Sequence, residues 1–106
     1  MQLDRIFDAL ASTPRRRILA YLSDVELTTS EIAARLAISA PAISRHLSVL
    51  ENAGLVASER KGQRVLYRIN RDNLANTLTS FVFELCPEGR PLKRESRALA
   101  KRRQTT

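Results

Sequence analysis

Two short apolar-periodic stretches joined by three residues constrain this chain more than anything else in it. Thr28-Thr29-Ser30-Glu31 has the Thr-x-x-Glu spacing of a capping box, in which hydroxyl and carboxylate each accept a backbone N–H at a helix start. Ile32, Ala33 and Leu36 come next, at the spacing of one helical face. Ala37-Ile38-Ser39 then leads into a second helix, which Ser39 caps and whose first turn tolerates Pro41. That helix is expected to run to about Ala53, with Gly54 as its stop. Next come Leu55-Val56-Ala57-Ser58-Glu59-Arg60, the turn Lys61-Gly62-Gln63, and Arg64-Val65-Leu66-Tyr67-Arg68-Ile69. Val65, Tyr67 and Ile69 alternate with Leu66 and Arg68, which is strand periodicity, so the segment predicts a hairpin. A helix pair with this connection, succeeded by Gly and a basic hairpin, describes a winged helix-turn-helix.

The flanks extend that frame. Leu3, Ile6, Phe7 and Leu10 share a face of a first short helix. Ser12-Thr13-Pro14 punctuates, and Ile18, Leu19 and Leu22 form the stripe of the next. Arg15, Arg16 and Arg17 fall in its first turn, where the helix dipole disfavours cations; a nearby carboxylate such as Asp8 is the expected compensation, and phosphate contact the alternative. Asn70 or Asp72 can cap a last helix carrying Leu74, Leu78, Phe81 and Leu85, which Pro87 ends. Gly89 and Pro91 break the chain again, and residues 92–103 carry only a weak helical pattern. The expected fold is mostly α with a small β-hairpin (α+β), in the order α-α-α-α-β-β-α. One domain is expected over residues 1–91, then a basic C-terminal tail over 92–106.

Charge points to the partner. The 106 residues carry 18 Lys+Arg against 11 Asp+Glu, a net charge of +7. Residues 31–71 hold seven basic and three acidic residues, and residues 87–106 hold seven basic and two acidic. Both regions suit a polyanion, because cations that replace condensed counterions on phosphates release them. The competing reading of the tail is a solvated, disordered end. One Cys, one His and three Gly leave little material for a metal cluster, a nucleophile–base pair or a glycine-rich phosphate loop, so neither an enzyme nor a cofactor is expected. No apolar run approaches the ~20 residues of a membrane span, and the amino terminus lacks the pattern of a secretory signal. A reducing cytoplasm is the expected location.

The chemistry lies on the second helix of the pair. At 100° per residue, Ile43, Leu47 and Leu50 fall within about 60° of one another and face the core. Pro41, Ser44, Arg45 and Ser48 cluster on the opposite side, with Ala42 flanking them and Ser39 and Ala40 at the start. That face is small and hydroxylic, with one guanidinium. A major groove requires low bulk, and Arg can grip guanine O6 and N7 with two hydrogen bonds. His46 lies at the margin of the core stripe, suited to packing or to a phosphate rather than to a metal. The hairpin supplies Arg60, Lys61, Arg64 and Arg68, with Gln63 at its tip, as phosphate or minor-groove contacts; the alternative is a solvated hairpin.

The chain resembles the ArsR/SmtB family of bacterial winged-helix repressors. The resemblance rests on Ala9-Leu10-Ala11-Ser12-Thr13-Pro14-Arg15-Arg16-Arg17-Ile18-Leu19, Ser30-Glu31-Ile32-Ala33, the run from Ser39 to Leu50, Gly54-Leu55-Val56, and the run from Gly62 to Ile69. It covers about residues 3–86 and implies a homodimeric, sequence-specific binder of double-stranded DNA that represses at an operator. It further implies a dimer built from the first and last helices. Leu3, Ile6, Phe7 and Leu10 with Leu74, Leu78, Phe81, Val82 and Leu85 are the stripes that fit; an intramolecular core is their other reading.

The departures from the family concern sensing. Metal-sensing members carry a Cys-containing motif where this chain reads Glu26-Leu27-Thr28-Thr29-Ser30-Glu31, and hydroxyls are poor ligands for soft ions. No His comes after His46 in the last helix, so a metal site is not expected. The stretch Phe81 to Pro91 is similar to the end of arsenite-sensing members, with Cys86 as its one thiol. Cys86 reads as a small buried hydrophobe or as a redox-responsive thiol. Two other functions stay open: a protein-interaction module that keeps the fold without reading DNA, and a non-specific architectural DNA binder.

Overall fold

A computed structural model describes residues 2–84 and 89–105. The element order is α1 (Gln2–Leu10), α2 (Thr13–Tyr21), α3 (Thr29–Leu36), α4 (Ala40–Asn52), β1 (Val56–Lys61), β2 (Arg64–Ile69), α5 (Arg71–Glu84) and α6 (Gly89–Thr105). The chain divides into two compact units, Met1–Leu74 and Ala75–Thr106. The first holds the helix-turn-helix, the hairpin and the opening turn of α5.

Each boundary in the first unit has a local cause. Ser12 caps α2 by accepting from the Arg15 N–H at 3.4 Å, and Pro14 sits in the first turn, where no helical bond is lost. Thr28 and Glu31 close the expected capping box, with Glu31 N–H to Thr28 Oγ1 at 3.2 Å and Thr28 N–H to Glu31 Oε1 at 2.9 Å. Those bonds, the backbone one foremost, hold the Glu31 carboxyl below the usual carboxylate range. Ser39 caps α4 through the Ala42 N–H. Gly54 ends that helix at φ 76°, and a Cβ there would lie 2.6 Å from Asn73 Nδ2, which itself donates to the Gly54 carbonyl at 2.8 Å. Only glycine meets both demands. Asn70 caps α5, its Oδ1 accepting from the Asn73 N–H.

The core of this unit is apolar throughout. Ile6, Ala9, Ile18, Leu19, Leu22, Ile32, Leu36, Ile43, Leu47, Leu50, Ala53, Leu55 and Val56 are buried, and no polar side chain is buried among the described residues. Each large member contributes about 1.5–3 kcal/mol by leaving water. The hairpin pairs antiparallel from Val56↔Ile69 to Lys61↔Arg64. Its loop is the two residues Gly62-Gln63, with Gly62 at φ 66°, and Lys61 belongs to β1 rather than to the turn. The hairpin is also anchored at its base. Leu27, ahead of α3, exchanges both backbone bonds with Tyr67, at 3.1 and 2.8 Å. Val65 lies past that anchor and is exposed, so the expected alternation holds for Tyr67 and Ile69 only.

Three expectations change. The described residues form six helices rather than five, because α6 occupies Gly89–Thr105, where the sequence suggests a basic tail with little helical pattern. Pro91 does not break it, since a first-turn proline forfeits no helical bond, and the later turns are filled with Leu, Lys, Arg, Glu and Ala. The expected boundary at residue 91 therefore falls inside α6. Ile6 is taken up by the chain's own core and is not free to face a partner. The α1 stripe is in effect split: Ile6 and Ala9 point inward, Leu3 and Leu10 are half-buried, and Phe7 is 41% exposed. Third, Asp8 meets Arg15 through its backbone carbonyl, not its carboxylate. Leu85, Cys86 and Pro87 lie outside the described residues.

Candidate nucleic-acid interface

Helix α4 separates its residues as its period demands. Ile43, Leu47 and Leu50 are fully buried, while Ser39, Ala40, Pro41, Ser44, Arg45 and Ser48 are exposed and Ala42 is half-buried. The Arg45 side chain makes no hydrogen bond or ion pair among the described residues, and neither do the side chains of Ser44 and Ser48. Their donors are therefore available to an external acceptor. Ser39 spends a lone pair on its cap and keeps its O–H.

His46 has a different setting. It is half-buried, and its Nδ1 lies 3.4 Å from an Arg15 guanidinium nitrogen. Arg has only donors, so this contact requires Nδ1 as acceptor and the ring proton on Nε2. Burial first, then the Arg15 and Arg45 charges, push the imidazole below its ordinary value. Arg15 is in turn anchored on the carboxyl end of α1, with Nε donating to the Ala9 carbonyl at 2.7 Å and an Nη to the Asp8 carbonyl at 3.1 Å. Arg16 donates to the Leu10 carbonyl at 2.6 Å and to Thr13 Oγ1. The cations that look misplaced at the start of α2 thus cap the unsatisfied carbonyls and negative dipole end of α1. The sequence marks these arginines as anomalous but cannot identify carbonyls six residues upstream as their partners.

The hairpin tip presents Arg60, Lys61, Gln63 and Arg64, all exposed. Arg60 Nε donates to the Gly62 carbonyl, and Lys61 pairs with Glu26 at 3.3 Å. Arg68 pairs with Glu59 at 3.1 Å. Exposed pairs of this kind are worth about 0–1 kcal/mol, so they orient the cations without neutralising the surface permanently. Between hairpin and the start of α3 lies an open hollow of about 520 Å³, lined by residues that include Thr29, Ser30, Gln63 and Arg64. Thr29 and Ser30 are polar groups that the sequence singles out only as part of a cap. The two expected contact sets, on α4 and on the hairpin, thus lie in one compact unit.

Comparison with known proteins adds to this geometry. The family model described as "Bacterial regulatory protein, arsR family" matches residues 13–58. The chain is 34% identical to the transcriptional repressor SdpR of Bacillus subtilis (strain 168), over 72% of this chain and 84% of that one. It superposes on an ArsR-like transcriptional regulator from Rhodococcus sp. RHA1 with a TM-score of 0.77 and 28% identity, over 99% of this chain and 93% of that one. It also matches the homodimeric winged helix-turn-helix DNA-binding domain Mb0332 from Mycobacterium bovis, with a TM-score of 0.67 and 31% identity over 78% of each chain.

Proposed function

This chain belongs to the arsR family of bacterial regulatory proteins, which are DNA-binding transcriptional regulators and not enzymes, and we propose that it acts as a homodimeric repressor of a two-fold operator. The observation that carries the proposal is the outward face of α4, where small exposed residues surround an Arg45 that has no partner among the described residues. In this reading Arg45 grips a guanine edge, and Ser44, Ser48, Pro41 and Ala42 set how closely the helix enters the major groove. Ser39, Ala40 and His46 lie toward the flanking backbone. Arg60, Lys61, Gln63 and Arg64 add phosphate or minor-groove contacts. Two copies of α4, related by the dimer axis, would occupy successive major grooves about 34–36 Å apart. Phe7, Leu3, Leu10, Leu74, Leu78, Phe81 and Val82 supply the apolar surface for the dimer, and a DNA ligand puts the site of action in the cytoplasm.

The test is a titration of two duplexes, one covering the region upstream of the protein's own gene and one of random sequence. Arg45→Ala is expected to cost about 1–3 kcal/mol on the first and much less on the second. Lys61→Gln should weaken both alike and lower the salt slope by about one unit. Equal losses from Arg45→Ala on both duplexes would remove base reading. No shift of either duplex at low salt would favour a protein-interaction module instead.

A further inference from the structure

Helix α6 carries seven basic residues and one acidic one, and they are not scattered. At 100° per residue, the positions of Arg90, Arg94, Arg97 and Lys101 fall within about 60° of one another, with Lys93 beside them. Leu92 and Leu99 lie on the opposite side and are 61% and 53% exposed. Glu95, the one carboxylate, cannot serve the line. Its helical neighbours three and four residues away are Pro91, Leu92, Ala98 and Leu99. Arg94, Arg97 and Lys101 are exposed, and their side chains make no hydrogen bond or ion pair among the described residues. Aligned like charges at these spacings destabilise a helix by a few tenths of a kcal/mol per pair. The arrangement is therefore costly without an external anion.

The length of the line selects the anion. From Arg90 to Lys101 the axial rise is about 16 Å, far longer than one phosphate and matched to a row of them. A bilayer surface is the weaker fit, because interfacial helices bury a broad apolar face. Here the apolar side is two leucines interrupted by Ser96, Glu95, Arg102 and Arg103. We propose that the α6 stripe is a second, sequence-independent contact to the sugar–phosphate backbone of DNA, separate from the α4 face. It rests on the DNA-binding reading above and enlarges its electrostatic footprint.

The experiment compares the full chain with its Arg94→Gln/Arg97→Gln/Lys101→Gln variant on the two duplexes, from low to moderate salt. Each neutralised phosphate contributes about 0.9 to the slope of log affinity against log salt, so the triple variant should lose two to three units per engaged chain. Affinity should fall on both duplexes while their ratio stays within about twofold. A second variant, Arg94→Lys/Arg97→Lys, keeps the charges and should keep the slope. An unchanged slope in the glutamine variant, or a loss in the lysine variant as large as in the glutamine one, overturns the proposal. Binding to phosphatidylserine vesicles together with an unchanged DNA slope would assign the stripe to a membrane surface. If the unsubstituted chain binds neither duplex, the DNA-binding reading falls first and this contact with it.

Discussion

Ala37 and Gly54 end neighbouring helices by the same left-handed device, with different chemistry. Gly54 adopts φ 76° without strain, and Ala37 adopts φ 55° with a Cβ in the way. Ala37 is the one non-glycine with positive φ among the described residues. Nothing in its identity announces the conformation, whereas Gly54 is recognisable as a stop. A non-glycine residue in this region costs about 1–3 kcal/mol, and replacing it by glycine adds chain entropy to the unfolded state worth somewhat less. Ala37→Gly is therefore expected to stabilise the fold by about 0.5–1 kcal/mol, read as a higher urea midpoint at unchanged slope. A lower midpoint would mean that the turn gains more from its alanine than its backbone loses.

Between elements, Arg15 is the contact with most reach, because it bonds the carboxyl end of α1 and the imidazole on α4 at once. Protonation of that imidazole opposes the contact, because a doubly protonated ring offers Arg15 no acceptor. The folded His46 binds its proton less readily than the ordinary value of 6.5, so the unfolded chain takes up the proton first as pH falls. The stability linked to His46 is complete above 6.5 and is lost as pH drops from there through the lowered folded value. Thermal unfolding at pH 7.5 and 5.0 checks this. His46→Gln, which keeps an acceptor but does not titrate, should flatten the decline; an identical decline in both proteins would assign it to carboxylates. Helix α6 belongs to this scale as well. Its propensity is legible in residues 92–103, but Gly89 and Pro91 look like breakers in the sequence when both lie in its first turn.

For the whole molecule, the telling quantity is apolar surface left in water. Phe7 is 41% exposed and Val82 62%, and on the same helices Leu3, Leu10, Leu74, Leu78 and Phe81 are half-buried. A chain this short buries a modest share of its surface alone, and in the proposed homodimer a second copy would cover more of it. Val82→Asp is expected to weaken self-association at least about tenfold, since a carboxylate would be buried without a partner. Sedimentation at micromolar concentration measures it. Operator binding should weaken in parallel, because two half-sites are held only by a dimer. A variant that remains fully dimeric would show that Val82 lies outside the dimer surface.

The starts of α2, α3, α4 and α5, the glycine stop of α4, the inward side of α4 and the position of the hairpin are legible from residues alone. Caps, helical period and strand alternation are settled within a few positions of the chain. The family resemblance is legible for the same reason, being carried by short motifs in order. The fold adds contacts that join residues far apart in sequence. Examples are the withdrawal of Ile6 into the core while Phe7 stays out, the backbone exchange between Leu27 and Tyr67, and the Arg15 bridge from α1 to His46. No local pattern encodes those pairings, because each depends on how packed helices bring distant groups within hydrogen-bond reach.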